Sequence, residues 1–403
     1  MQHSFIRYVF YTVCFLLSQL LLSACHFPDL DPLTSSKTQV RQSDSNYQFK
    51  TARTLSGRSD GQGFDLVFVA DGFTKNEMHL FYSAVQDYQA FSRDYESIFS
   101  LQTNAWNMHI IQIPSNESGV DEPKTGTLKD TVFNSSFECE WVDRIICVDQ
   151  EKVLDVVSEH FPQYDAVLVL ANSTRSGGAS LGNNIITSAM GSSLNNTIIH
   201  ELGHVMAKLG DEYTYGGSKL PNSEPRAANL TLNNDKQSVK WKHWLNAGHG
   251  FGNIQLFEGG SYLDYGVWRP SQDSVMRRLG QPFHAVNLEA WTLALYEHSG
   301  TYFNTSPATG IFEITKAEIT GVDQTSIEQT FEIELSLGGA MQNIEWRVNG
   351  QPVQPSLNQH QLTLREQTQD YIVQAKIYDT SGVIRKDDKK YSQDTLTWWV
   401  MVN

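Results

Sequence analysis

Thr197-Ile198-Ile199-His200-Glu201-Leu202-Gly203-His204-Val205-Met206-Ala207 carries both the local structure and the chemistry of this chain. Two histidines four residues apart on a helix stand about 40° apart around the axis and about 6 Å apart along it, so both imidazoles can reach one ion. His200 and His204 meet that condition, and Glu201 projects from the same region. A carboxylate there can take the proton of an activated water and later pass it to a leaving amine. The flanking residues Thr197-Ile198-Ile199 and Val205-Met206-Ala207 let such a helix be buried. Buried imidazoles need partners, so two on one face point to a metal, with Zn2+ the ion expected of this spacing.

Catalytic zinc commonly takes three protein ligands, which calls for a third residue. Asp211 follows His204 by seven residues. On an unbroken helix it would sit about 10 Å further along the axis, out of reach of the same ion. The helix must therefore break, and Gly210, which tolerates left-handed backbone, is expected to make the bend. Asp211 ranks first as third ligand, Glu212 is its close competitor, and Glu289 would arrive from a second helix. The motif helix is expected to start near Asn195 or Asn196, either of which suits an N-cap.

Upstream, the apolar runs 64–70, 108–113 and 165–171 predict strands, and 151–160 predicts a helix. Thr74 to Glu77 has capping-box spacing for a helix running to about Asp94. Strands alternating with helices indicate a mixed α/β domain. The glycine-rich stretch 176–182 lacks a phosphate-loop terminator and is expected to shape a cleft beside a short strand at 184–189. Downstream of Ser306 the pattern changes to strand-length runs at 311–319, 329–337, 343–348, 361–365, 371–378 and 395–402, with turn signals at Asn349-Gly350 and Ser381-Gly382. Such a series suggests a small immunoglobulin-like sandwich with Trp346 in its core.

At 403 residues, 40% hydrophobic, the chain has material for two folded units. A net charge of -15 without any Lys/Arg-rich run argues against a nucleic-acid partner and against broad adhesion to anionic membranes. Residues 1–25 differ from the rest: Arg7, an apolar run from Tyr8 to Leu22, then Leu22-Ser23-Ala24-Cys25. The run is shorter than the ~20 residues that span a bilayer and has the composition of an export signal. It resembles the bacterial lipoprotein signal, which implies that Cys25 carries the lipid and holds the protein to the cell envelope, at the outer membrane or cell surface. Residues 26–46 are polar and Pro/Ser/Gln-rich, as a tether would be. Cys14 lies inside the apolar run, which leaves Cys139 and Cys147 as a candidate disulfide for an exported protein.

The run His200-Glu201-Leu202-Gly203-His204, six intervening residues and Asp211-Glu212-Tyr213 resembles the bacterial IgA-metallopeptidase family, a metzincin-like group of zinc peptidases. Asp71-Gly72-Phe73-Thr74 resembles the family's opening turn, and Ser274-Val275-Met276-Arg277 its methionine turn. The resemblance spans roughly residues 45 to 300. It implies an α/β (α+β) metzincin-like zinc peptidase domain over 47–305, followed by the immunoglobulin-like β-sandwich of 306–403. Zn2+ would be held by His200, His204 and Asp211, Glu201 would act as general base and then acid, and Met276 would form an apolar floor. The substrate would be an extracellular or periplasmic protein or peptide, with the strand at 184–189 pairing with it. Ala207 stands where the wider metzincin pattern has a turn glycine, and immunoglobulin as substrate does not follow from the family name. Two rival functions are a zinc amidase acting on cell-wall material and a noncatalytic surface lipoprotein that binds a partner through its sandwich.

Overall fold

The computed structural model describes residues 51–58, 62–95, 97–217, 219–246, 250–314, 328–354, 360–365, 367 and 369–402. All belong to the unit Ser45–Asn403. The expected signal segment with Cys14 and Cys25, and the whole of the 26–46 tether, lie outside the described residues. Among the described residues no helix is long and apolar enough to cross a membrane.

The apolar runs upstream of the motif build one six-stranded sheet. Its strands are β1 (Thr51–Ser56), β2 (Phe64–Asp71), β3 (Trp106–Gln112), β4 (Ala166–Ala171), β5 (Gly178–Ser180) and β6 (Ile185–Ala189), in the order β1-β3-β2-β4-β6-β5. The inner four are parallel, and the edges β1 and β5 are antiparallel to their neighbours. A parallel sheet is covered on both faces, so its central strands read as unbroken apolar runs. Every residue of β2 and β4 is accordingly buried.

Among the described residues five α-helices form: α1 (Met78–Asp94), α2 (Ser97–Leu101), α3 (Gln150–His160), α4 (Leu194–Val205) and α5 (Ala285–Ser299). Helices α1, α4 and α5 cover one face, where Phe81, Val85, Ile198, Leu202, Leu288 and Leu295 pack with Phe64, Phe68 and Leu168. Val153 and Val157 of α3 cover the other with Val67, Val69 and Val167. The Thr74 N–H and hydroxyl donate to Glu77 Oε2 at 2.9 and 2.7 Å, but they close a turn, and α1 itself begins later than the capping-box spacing implies, at Met78 with Glu77 as its N-cap. Two more expectations are corrected. Helix α4 begins at Leu194 after Ser193, not after Asn195 or Asn196. Strand β6 lies between β4 and β5, so both its edges are occupied and the free edge belongs to the three residues of β5.

Strands β7 (Thr214–Gly217), β8 (Phe257–Gly260) and β9 (Tyr262–Arg269) form a small sheet in the order β7-β9-β8. The C-terminal runs form two more sheets. Strands β10 (Tyr302–Ser306), β12 (Glu328–Leu335) and β15 (Gln361–Arg365) make one of them. Strands β11 (Gly310–Ile314), β13 (Gln342–Val348), β14 (Gln351–Val353), β16 (Tyr371–Asp379) and β17 (Gln393–Val402) make the other, in the order β11-β17-β16-β13-β14. Phe331, Ile333, Trp346, Val373 and Trp398 form the core between these strands, with the two tryptophan rings stacked at 5.9 Å. Asn349 and Gly350, both left-handed, turn β13 into β14 as the Asn-Gly signal predicts.

The C-terminal loops do not stop at their own sheets. Leu337, Met341 and Val383 belong to the same core as α1, α4 and α5. Glu289 of α5 accepts hydrogen bonds from the Arg385 and Lys386 N–H groups at 2.7 and 2.9 Å. The Tyr296 hydroxyl donates to Asp379 Oδ2 at 2.9 Å.

Candidate metal centre

Burial of Ile198, Ile199, Leu202 and Val205 against the sheet holds α4 in place, each contributing about 1.5–3 kcal/mol. That packing turns His200, Glu201 and His204 to one side, where one ligand atom from each lies within 4.8 Å of the others. The lower side of the helix rests on Met276, and a Cβ on Gly203 would stand 2.7 Å from its sulfur. The glycine inside the motif is thus a packing requirement of the methionine turn.

The helix is broken differently from the expectation. Lys208, at φ 52°, takes the left-handed conformation, and Gly210 does not have a positive φ. The Leu209 N–H returns to the Gly203 carbonyl at 3.0 Å, closing the helix end. Gly210 is needed for another reason: a Cβ there would run into Leu230. Its N–H donates to Asn229 Oδ1 at 2.8 Å and its carbonyl accepts from Asn229 Nδ2 at 2.9 Å, so a buried asparagine clamps the bend on both sides.

Past the bend, Asp211 folds back on the histidines. His200 Nε2, His204 Nε2 and Asp211 Oδ1 form a triangle with every side 3.2 Å. His200 Nδ1–H donates to the Val275 carbonyl at 2.8 Å and His204 Nδ1–H to the Leu209 carbonyl at 2.7 Å. A carbonyl only accepts, so these bonds fix the ring protons on Nδ1 and leave both Nε2 lone pairs facing the centre. Asp211 Oδ1 is buried, faces the same centre and has no hydrogen-bond partner. The donor set is therefore three converging acceptors. As one face of a tetrahedron, a 3.2 Å edge places the centre about 2.0 Å from each atom, against ~2.0–2.2 Å for zinc bonded to nitrogen or oxygen. The residues present fit such an ion.

The electrostatics also call for a cation. Burial lowers the His204 pKa, but the Asp211 carboxylate beside it outweighs burial and lifts it to about 9. Burial likewise pushes the Asp211 carboxyl up, and the attraction of the imidazoles reverses this, holding it well below the ordinary carboxylate range. Asp211 Oδ2, on the far side of the carboxylate, accepts from the Tyr262 hydroxyl at 2.7 Å. The Tyr213 ring lies nearly parallel to that of His200, with centroids 6.3 Å apart and planes at 18°.

The two competitors for third ligand are engaged elsewhere. Glu212 is fully buried and accepts from Asn229 Nδ2 at 2.9 Å, the Ser274 hydroxyl at 2.8 Å and Asn287 Nδ2 at 3.3 Å. Burial raises its pKa, and the three donors work against that rise. With the Glu212 N–H donating to the Met276 carbonyl at 2.8 Å, this residue ties the bend to the methionine turn. Glu289 accepts from Trp244 Nε1 and lies 2.7 Å from His243 Nε2 while also holding the C-terminal loop. Sequence reasoning missed Asn229 and Tyr262, which come from distant segments with no motif of their own.

Comparison with curated proteins finds no match. Among solved structures, the Bacteroides ovatus mixed-linkage glucan utilization locus SGBP-B, in complex with a mixed-linkage heptasaccharide, is 10% identical over 24% of this chain and 21% of that one. Its TM-score is 0.17, a likeness that carries no argument. Residues 55–253, which include the sheet, the His-Glu-His helix and the Asp211 bend, match the family described as IgA Peptidase M64. Over that segment, which is just under half of the chain, the protein is similar to the IgA peptidase M64 family, a family of metallopeptidases.

Proposed function

We propose that this protein is an exported, lipid-anchored zinc endopeptidase that hydrolyses peptide bonds of extracellular or periplasmic proteins. In this reading 47–305 is a metzincin-like catalytic domain, 306–403 is an immunoglobulin-like sandwich, and Cys25 carries the lipid. The observation that carries it is the triangle of His200 Nε2, His204 Nε2 and Asp211 Oδ1 with both Nδ1 protons already committed. Those three atoms would hold the zinc. Bound zinc supplies Lewis acidity to the scissile carbonyl and to the attacking water.

The chain's own residues do the rest. Glu201 is buried beside the two Nε2 atoms, where its carboxylate takes a proton from the attacking water and delivers it to the leaving amine. Tyr262 keeps Asp211 Oδ2 occupied, so that one carboxylate oxygen faces the centre. Strand β5 packs on α4, where a Cβ on Gly178 would lie 2.9 Å from Thr197 Cγ2. Ser180, alternating with the residues bonded to β6, turns its backbone groups to the outer edge and offers an extended peptide a place to pair, while the Gly178 N–H is already given to the Arg144 carbonyl.

The test compares bound metal and proteolysis in wild type and Glu201→Gln. We expect both proteins to carry zinc, and the variant to lose about 10²–10⁴-fold in cleavage rate. A zinc-loaded wild type that cleaves nothing in a broad protein panel would sink the proposal.

A further inference from the structure

The loop closed by the Cys139–Cys147 disulfide, with Cα atoms 5.3 Å apart, is not needed for the metal triangle, yet it is fastened beside it. Glu138, Glu140 and Trp141 all take left-handed backbone there, at φ 65°, 53° and 67°. Backbone of this kind costs free energy and persists where surrounding contacts impose it. The loop is fixed to the free edge of the sheet. The Gly178 N–H of β5 donates to the Arg144 carbonyl at 3.0 Å, and the Thr187 hydroxyl of β6 donates to the Ile146 carbonyl at 2.9 Å. A Cβ on Gly177 would come within 2.6 Å of the Arg144 oxygen, so the glycine-rich stretch is what lets the loop approach.

This fastening sets the Arg144 side chain next to the metal centre. Arg144 Nη2 donates to the Tyr213 hydroxyl at 3.3 Å, and the Tyr213 ring is the one lying against His200. Three of the acids around the loop already have cations: Asp143 pairs with Lys124, and Glu138 and Glu122 lie 3.6 and 3.7 Å from Arg175. Arg144 forms no ion pair among the described residues, although it is exposed and always charged. A guanidinium whose polar side-chain partners are two neutral tyrosine hydroxyls, those of Tyr213 and Tyr215, keeps its full charge and further donors for a ligand. In a chain of net charge -15, it marks a local positive point at the end of the edge where substrate would lie.

We propose that Arg144 is a specificity-determining residue of this cleft, engaging a carboxylate of the bound peptide, either an acidic side chain or the chain's own C-terminus. The inference rests on the peptidase reading, and it commits to the chemistry of the substrate. The disulfide-closed loop then forms one wall of the binding cleft, and β5 forms the adjoining edge.

Binding separates this inference from catalysis. The full-length Glu201→Gln protein, loaded with zinc, is titrated with fluorescent decapeptides that carry a single Glu or a single Gln at each position in turn. One set has an amidated C-terminus and a second set has a free carboxylate. At one position, or at the free C-terminus, we expect the anionic peptide to bind about tenfold more tightly than its neutral counterpart, the scale of one charge-assisted hydrogen bond. Adding Arg144→Ala should remove that ratio, Arg144→Lys should keep part of it, and Arg144→Glu should reverse it. The amidated and free sets tell an acidic side chain from a terminal carboxylate. Equal binding of anionic and neutral peptides in every arm, or an unchanged ratio in Arg144→Ala, would overturn the inference, even if wild type cleaves peptides. Failure of wild type to cleave while the Arg144-dependent ratio holds would fault the peptidase reading alone.

Discussion

Tyr262 reaches Asp211 from the turn between β8 and β9, where Ser261 and Tyr262 are both left-handed at φ 52° and 67°. The strain is matched by a function, since the hydroxyl fixes which oxygen of Asp211 faces the histidines. Groups that orient a metal ligand typically affect metal affinity by about 10–100-fold. Tyr262→Phe should therefore weaken zinc binding on that scale while leaving the unfolding midpoint of the metal-free protein nearly unchanged. Competition against a chelator measures the first and urea denaturation the second. Equal zinc affinity in the variant would show that Asp211 is held by the backbone alone. Asn229 does for Gly210 what Tyr262 does for Asp211, with three hydrogen bonds to the bend and to Glu212. Neither residue could be found from spacing, because each is brought in from a separate part of the chain.

Helix α4 was legible because a four-residue spacing has a direct meaning on a 3.6-residue turn. Its end was not. A glycine before Asp211 invites a left-handed assignment, but the structure gives that conformation to Lys208 and uses Gly210 for close approach to Leu230. Gly203 has the same character, with Met276 occupying the space its side chain would need. In Gly203→Ala the helix gains about 1 kcal/mol of intrinsic preference, while forcing the Met276 sulfur aside costs about 1–3 kcal/mol, so the net effect is a loss. A lower urea midpoint together with weaker zinc binding is expected, since the displaced turn also carries the Val275 carbonyl that holds His200. A more stable variant would mean that Met276 moves without resistance. Strand β5 escaped the sequence for a simpler reason. Gly-Ala-Ser has neither length nor periodicity, and only pairing with β6 makes it a strand.

For the whole molecule, what could be read in advance was what burial imposes on composition. Strands β2 and β4 are enclosed on both faces, and the alternating burial of β12 and β16 reports sheets with one inner face. The attachment of the C-terminal loops left no such trace, since it depends on single polar contacts such as Tyr296 to Asp379 and on three separate apolar side chains, Leu337, Met341 and Val383. Burial raises the Asp379 pKa, although Ser381 and Tyr296 oppose the rise. The folded protein thus keeps this proton to higher pH than the unfolded chain does. The stability it contributes is complete below the ordinary aspartate range and is lost as pH rises through the raised value. Asp379→Asn should remove that dependence, so the urea midpoint of the variant should gain on wild type as pH rises from the ordinary aspartate range through the raised value. A constant difference across the range would place the titration elsewhere.

Leu337, Met341 and Val383 belong to the core that α1, α4 and α5 share, and the loops around them are bonded to α5 through Glu289 and Tyr296. The C-terminal sheets therefore act as a stopper for the catalytic core as well as a neighbour to it. A chain ending at residue 305 would leave a greasy socket open in that shared core beside α5. Recombination in evolution, or truncation in the laboratory, can exchange this C-terminal part only for one that brings an equivalent plug.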